Sequence, residues 1–292
     1  MPATPSNPWP IRWDLLVRYR YIETIVLWEG RLTTRHLCET FGIGRQQASK
    51  DINRYIRDIG PGNLVYDASL KGYMPAAGFR PRVTEGVADE YLHLMARNNE
   101  LSNVFESLAL NVANIEVLRV PVRDVRPEAL RPIMQAARQR KRLEVDYVSL
   151  HNPNREGRII VPHTLVFTGL RWHVRAWCEK NQEYRDFVLS RFRDIPEILD
   201  DSTQGVENDH DWNTHVTLRI VPDPRLSPAQ RQVVETDYGM LEGALHITVR
   251  GRLVPYALKL LHIDPEPAPL EDPMAQQIVV ENREQLKPWL FS

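Results

Sequence analysis

Between residues 12 and 28, apolar side chains recur at Leu15, Tyr19, Ile22 and Val26, the three-and-four spacing of one helix face. Gly30 predicts the end of that helix. Thr33 or Thr34 can cap a second short helix running to Phe41. A third helix is predicted from about Gly44, burying Ala48, Ile52, Tyr55, Ile56 and Ile59 before it stops at Gly60-Pro61-Gly62. The run from Asn63 to Gly78 reads as two short strands around a turn at Ser69 to Gly72. Helical spacing returns from about residue 83, and again between 126 and 142. At Leu143 the period changes to two, and "LEVDYVS", "RIIVPHTLVF", "RWHVRAWC" and "RDFVLSRF" predict a small antiparallel sheet or barrel. The segment "DDSTQGVENDHDWN" is polar and acidic, the best candidate for a linker. After it come strand, helix, strand, helix, strand and a short helix, an α+β unit of about 78 residues.

The expected fold class is therefore multidomain α+β. Residues 1–80 form a DNA-binding head, 81–140 a helical linker or dimerisation region, 141–200 the small sheet, 201–214 a linker and 215–292 the C-terminal unit. Composition changes little in this picture: 292 residues with 42% hydrophobic and 26% charged side chains suit several packed cores. No apolar run approaches the roughly 18 residues of a membrane span, and the N-terminus lacks a secretory pattern. Cys38 and Cys178 stand alone, which fits a reducing cytoplasm better than a disulfide framework. Charge adds one point. Residues 1–80 carry 11 Lys or Arg against 7 Asp or Glu, so the head is mildly basic on an otherwise acidic chain.

Two helices joined by a tight Gly-containing turn, with a hairpin behind them, make a winged helix-turn-helix. Gly42 suits the left-handed backbone of the turn. Leu37, Cys38 and Phe41 can pack on Ile43, Ala48 and Ile52, which sets the angle of the second helix. Arg45, Gln46, Gln47, Ser49, Lys50, Asn53 and Arg54 then point outward, and no acid interrupts the run from Arg45 to Lys50. Arg pairs with guanine and Gln with adenine, while Ser and Lys more often hold phosphates. Thr34 and, in the hairpin, Lys71 complete the candidate DNA contacts.

In the sheet, alternation puts Arg185 on the face of Phe187 and Leu189. Together with Tyr147, Ser149, His163, Trp172, His173 and Arg191, these residues would form a pocket for an anion carrying a stackable ring, such as a nucleotide or a nucleic-acid strand. The alternative is that the arginines pair with Glu144, Asp146 or Asp186 on a solvated sheet.

These segments also resemble known families. Lys50-Asp51-Ile52 matches the triplet that follows the turn in DeoR-type winged helices, although Gly44 stands where that family usually has a capping Ser. Gly is a tolerated cap, at a cost of a few tenths of a kcal/mol. Pro162 and His163, Trp172, and the Arg185, Phe187, Leu189, Arg191 pattern resemble the WYL domain, a small Sm-like or SH3-like barrel. The name-giving triplet departs, reading Trp172-His173-Val174 here. The C-terminal stretches "QRQVVETDYGM" and "LHITVRGRLVPYALKLL" look like the WCX extension that follows WYL domains. The N-terminal "RWDLLVRYRYIETIVLWEGRLTT" resembles regulators of bacterial anti-phage defence operons, of the CapW and BrxR type. The resemblance implies a homodimeric repressor, released when its WYL and WCX part senses a signal of infection or DNA damage. With the residue reading, the expected partners are double-stranded DNA with an inverted-repeat operator and a nucleotide or nucleic-acid effector.

Other chemistry finds no support in the residues. His151, His163 and His173 have no paired-ligand spacing, so no metal is expected. No nucleophile elbow, P-loop or dinucleotide fingerprint occurs, so neither an enzyme nor a cofactor is expected. A bifunctional repressor of the biotin-ligase type would need a Gly- and Arg-rich adenylate loop, which is absent. A nucleic-acid-binding accessory protein of a defence system, with no operator of its own, remains the alternative.

Overall fold

The computed structural model describes residues 11–102, 121, 123–264 and 272–290. The chain divides into two compact units, Met1–Arg119 and Val120–Ser292.

In the first unit, α1 (Trp13–Glu29) buries Tyr19, Ile22, Ile25 and Val26 completely or nearly so. Gly30, at φ 73°, ends it by donating its N–H to Val26. Helix α2 (Thr34–Phe41) and helix α3 (Arg45–Arg54) follow, and Leu37, Ala48 and Ile52 close the core between them. Cys38, Phe41, Ile43 and Ile56 are only half-buried at its margin. The turn contains Gly42 at φ 60°, and Gly44 caps α3 in extended backbone with no side-chain oxygen to help. A π-helical turn, Tyr55–Ile59, continues α3. Strands β1 (Leu64–Asp67) and β2 (Gly72–Pro75) form the hairpin, with Leu64 opposite Pro75 and Asp67 opposite Gly72. Leu32 joins its edge by exchanging two backbone hydrogen bonds with Tyr73. Helix α4 (Ala88–Ser102) packs on α1. The remainder of the predicted linker helix, 103–120, lies outside the described residues.

Glu23 is one of the charges sealed inside this unit. Glu23 is fully buried, and its carboxylate accepts from Tyr55 Oη at 2.8 Å, the backbone N–H groups of Arg82, Val83 and Thr84, and Thr84 Oγ1. Five donors replace its hydration and tie α1 to the chain entering α4. Glu23→Gln keeps the shape but turns an amide NH₂ toward donors. It is expected to cost about 2 kcal/mol in denaturant unfolding; an unchanged midpoint would contradict this role.

The second unit has two sheets. Helix α5 (Pro127–Gln139) lays Ala129, Ile133 and Ala136 on β3 (Lys141–Tyr147), β4 (Glu156–Phe167), β5 (Trp172–Cys178), β6 (Glu183–Val188) and β7 (Glu197–Asp201). These strands pair antiparallel in the order β6-β5-β4-β3-β7. That is an open sheet, not the closed barrel expected from the sequence. Strand β7 pairs along the other edge of β3, with Leu143 opposite Ile198, and after β6 the chain reaches β3 through the Tyr147–Phe192 bridge and the Tyr147 hydroxyl, which accepts from Val188 N. Strand β7 was not predicted. Pro162 and His163 lie inside β4 at a register shift and do not precede a strand.

The acidic run expected as a linker is ordered. It contains a 3-10 turn (Val206–Asn208) and α6 (His210–Asn213), with Asp209 and Trp212 buried. Beyond it, β8 (His215–Pro222) sits between β9 (Leu245–Arg250) and β10 (Ile278–Val280). Helices α7 (Pro228–Asp237), α8 (Val254–Leu260) and α9 (Arg283–Leu286) cover this sheet through Val234, Leu258 and Leu286. Ser227 and Gln230 form a capping box at the start of α7.

Candidate nucleic-acid interface and effector site

Helix α3 has a buried stripe and an exposed one. Ala48, Asp51 and Ile52 face inward. Arg45, Gln46, Lys50 and Asn53 are exposed, and their side chains make no hydrogen bond or ion pair with other protein groups among the described residues. Gln46, Lys50 and Asn53 stand four and three residues apart, on one helix face. Ser49 is half-buried beside them. Two of the predicted contacts are already engaged. Gln47 donates to Asp51 Oδ1 at 2.7 Å, and Arg54 pairs with Asp58 at 3.5 Å. Thr34 is half-buried at the first position of α2, behind its capping residue Thr33.

At the hairpin tip, Asp67 accepts from the N–H groups of Ser69 and Leu70 and from Ser69 Oγ, which tightens the turn. Lys71 stands exposed there at φ 50°. Gly72 permits this approach: a Cβ would lie 3.0 Å from the Leu32 carbonyl and 2.9 Å from the Arg31 side chain. Tyr66 and Val65 are exposed on the same hairpin.

The eight predicted ligand residues do not form one pocket. Tyr147 and Phe187 belong to the core, ring against ring at 5.0 Å between centroids. Arg185 lies exposed at the far end of β6, paired with Glu183 at 2.6 Å. Ser149 accepts from Asn152 N and serves the loop after β3. His163 and His173 fall on the opposite face of the sheet from α5. His163 Nε2 meets Asp209 Oδ2 at 3.2 Å.

His173, Trp172 and Arg191 lie at one end of the sheet, with His173 and Trp172 on opposite faces of β5. The His173 ring is buried, with Nδ1 unpartnered. Burial and the nearby charges of Arg171, Arg191 and Arg252 hold its pKa down at about 4, so it is neutral at physiological pH. Arg171 and Arg191 are half-buried and have no acidic partner among the described residues. Trp172 is half exposed and packs on Phe167, and a cavity of about 230 Å³ runs from these rings past Leu170 and Arg171 to Arg123 and Ser190.

A second cluster was missed. Arg175 is 1% exposed and grips Asp209 with two hydrogen bonds, of 2.7 and 3.0 Å, and reaches Asp186 at 3.2 Å. Asp186 in turn accepts from Arg252 at 2.8 Å and Tyr256 at 3.2 Å, both from the C-terminal part of this unit. The outer face of the sheet is thus closed by a buried ionic network. Period two along β5 puts Arg175 on the face opposite Val174 and Ala176, but its partner Asp209 lies in the run expected as a linker.

Three family models match successive parts of the chain. Residues 14–97 match the BrxR transcriptional regulator winged helix-turn-helix domain, 128–196 the WYL domain, and 215–286 the BrxR transcriptional regulator C-terminal dimerization domain. A DNA-binding transcriptional repressor CapW of Stenotrophomonas maltophilia is 33% identical over 282 residues, 96% of this chain and 93% of the relative. The chain belongs to the CapW family of repressors. Other CapW repressors, from Escherichia coli strain KTE188 and Pseudomonas aeruginosa, are each 32% identical across 94% of this chain and cover 91% and 92% of their own lengths. Among solved structures, the proteasome accessory factor B/C (PafBC) of Arthrobacter aurescens aligns at 15% identity with a TM-score of 0.31. This chain spans 93% of itself and 45% of that chain in the alignment. No helix among the described residues is long and apolar enough to cross a membrane.

Proposed function

We propose that the chain is a sequence-specific transcriptional repressor that binds an inverted-repeat operator of a bacterial anti-phage defence operon as a homodimer. One observation carries this reading. Arg45, Gln46, Lys50 and Asn53 form an exposed polar face on α3 whose side chains have no protein partner among the described residues. Donors and acceptors held outward on a rigid helix suit base edges in a major groove, with Ser49, Thr34 and Lys71 set for flanking phosphates. Two such helices related by two-fold symmetry would read half-sites roughly 34 Å apart. The dimer reading takes support from the matched C-terminal dimerization domain. A footprint on the chain's own upstream DNA tests it: two protected half-sites one helical turn apart, with a dimer in sedimentation, are expected. A monomer at micromolar concentration would count against it.

The effector belongs, in this reading, at the sheet end formed by Arg171, Arg191, His173 and Trp172. Two unpaired guanidinium groups suit a phosphate, and the exposed indole suits a base. A nucleotide or a nucleic-acid strand supplies both. Arg171→Ala with Arg191→Ala is expected to leave operator binding within about threefold and to weaken binding of a short single-stranded oligonucleotide by a factor of ten or more, since hydrogen bonds to charged groups are each worth about 1.5–3 kcal/mol. Equal oligonucleotide binding by wild type and variant would remove this site from the account.

A further inference from the structure

Gln47 is held before DNA arrives. Its Nε2 donates to Asp51 Oδ1, one turn further along α3. A carboxylate can only accept, so the chemistry settles which way round the amide lies: nitrogen toward Asp51, carbonyl Oε1 away from it. Gln47 is exposed, and its Oε1 has no protein partner among the described residues. Asp51 itself is 2% exposed. Its second oxygen lies 2.8 Å from Nε of Arg18, a charge contact whose N–H is not aligned for a hydrogen bond. Arg18 comes from α1, outside the helix-turn-helix, and its side chain is 13% exposed. Its other carboxylate, Asp14, is more distant at 3.4 Å and more exposed.

A buried ion pair is a poor way to join two helices, because desolvation consumes much of what the charges gain, and apolar side chains at the same place often serve as well. Tyr19 and Ile22 of α1 already share a core with Ala48 and Ile52 of α3. The distinctive consequence of Arg18 is a fixed Asp51, and through it a fixed Gln47.

We propose that Arg18, Asp51 and Gln47 form a positioning relay that presents the Gln47 carbonyl as a fixed acceptor in the first turn of the recognition helix, selecting a base amino group. The inference rests on the DNA-binding reading above. An acceptor turned outward is repelled by phosphate oxygens, so a backbone contact does not suit it. Its partners in a major groove are the N6 amino group of adenine and the N4 amino group of cytosine. An untethered Gln can rotate and donate to guanine instead. The tether converts an adaptable side chain into a selective one. Arg18 and Asp51 touch no base in this arrangement; they are positioning residues.

The test is selection of bound sites from a duplex pool with randomised base pairs, followed by binding to single base-pair variants of the selected site. Wild type is expected to require an amino-bearing base at one position of each half-site that depends on Gln47. Q47M, a change on an exposed residue, is expected to flatten that preference by about tenfold or more. R18M/D51L, which exchanges the ion pair for apolar side chains of similar size, is expected to melt at or above the wild-type temperature and to bind random duplex within about threefold. It should flatten the same position, and adding Q47M should change that position no further. A merely structural pair would instead lower the melting temperature and leave base preference alone. A folded R18M/D51L protein with wild-type preference overturns the relay, as does a Q47M protein whose preferences are unchanged at every position. Failure of wild type to select any site overturns the underlying DNA reading, and the relay falls with it.

Discussion

Asp209→Ala is expected to destabilise the second unit by about 3–5 kcal/mol, because it strands the Arg175 guanidinium, 1% exposed, without the carboxylate that neutralises it. The loss has three parts. Arg175 loses both hydrogen bonds to Asp209 and keeps only the longer contact to Asp186. His163 loses its partner at 3.2 Å. The N–H of Trp212 loses the cap that starts α6. Denaturant unfolding followed by the fluorescence of Trp177 and Trp212 would measure this, and a cost below about 1 kcal/mol would mean the network is not closed in solution. The same carboxylate gives the protein an acid limit. Burial alone would raise the Asp209 pKa, but hydrogen bonds from His163 and Arg175 outweigh it and lower the value from 3.8 to about 2. A carboxylate depressed on folding adds stability that is complete above its unfolded pKa and disappears as pH falls through the folded one. Its contribution should therefore fade between about pH 4 and pH 2 in the wild type, and be missing from the pH profile of Asp209→Ala.

Replacing Gln46 and Asn53 together by Ala is expected to cut operator selectivity sharply. Each lost base contact costs about 1–3 kcal/mol, so the pair removes about one and a half to four orders of magnitude of discrimination. Both residues are exposed and neither supports the core, so the fold should be untouched. Binding to random duplex should change little, because Arg45, Lys50 and Lys71 supply the charge. Lys71→Ala should do the opposite, weakening operator and random duplex alike and lowering the salt slope by about one. Should the double variant keep the wild-type ratio of operator to random binding, the base-reading face is elsewhere.

The head was legible because its signals are local. Helical spacing located Leu15, Tyr19, Ile22 and Val26, all of them buried, and Gly42 marked the turn by its backbone needs. Residues that depend on long-range partners were not. Asp51 reads as one more polar residue of α3 until Arg18, thirty-three positions earlier, is seen against it. Arg175 reads as a sheet residue until Asp209 closes over it from a segment whose composition suits a solvated linker. Tyr147 and Phe187 illustrate the converse error. Their aromatic character suggested ligand stacking, yet period two along the strands places them with Val145 and Val174 in the core. Alternation in sequence distinguishes the two faces of a sheet, but what covers each face is decided by chain that arrives later. The open sheet follows the same pattern: β7, from chain beyond the predicted strands, pairs with the edge of β3.

The central claim is that the exposed face of α3 reads base sequence. Its most direct test is equilibrium binding of the purified protein to its own upstream DNA and to a scrambled duplex of equal composition, across a salt series. The account predicts a preference of about a thousandfold or more that persists as salt rises and both affinities fall. Equal affinity for the two duplexes at every salt concentration, with the same steep slope, would contradict it and leave a non-specific nucleic-acid binder.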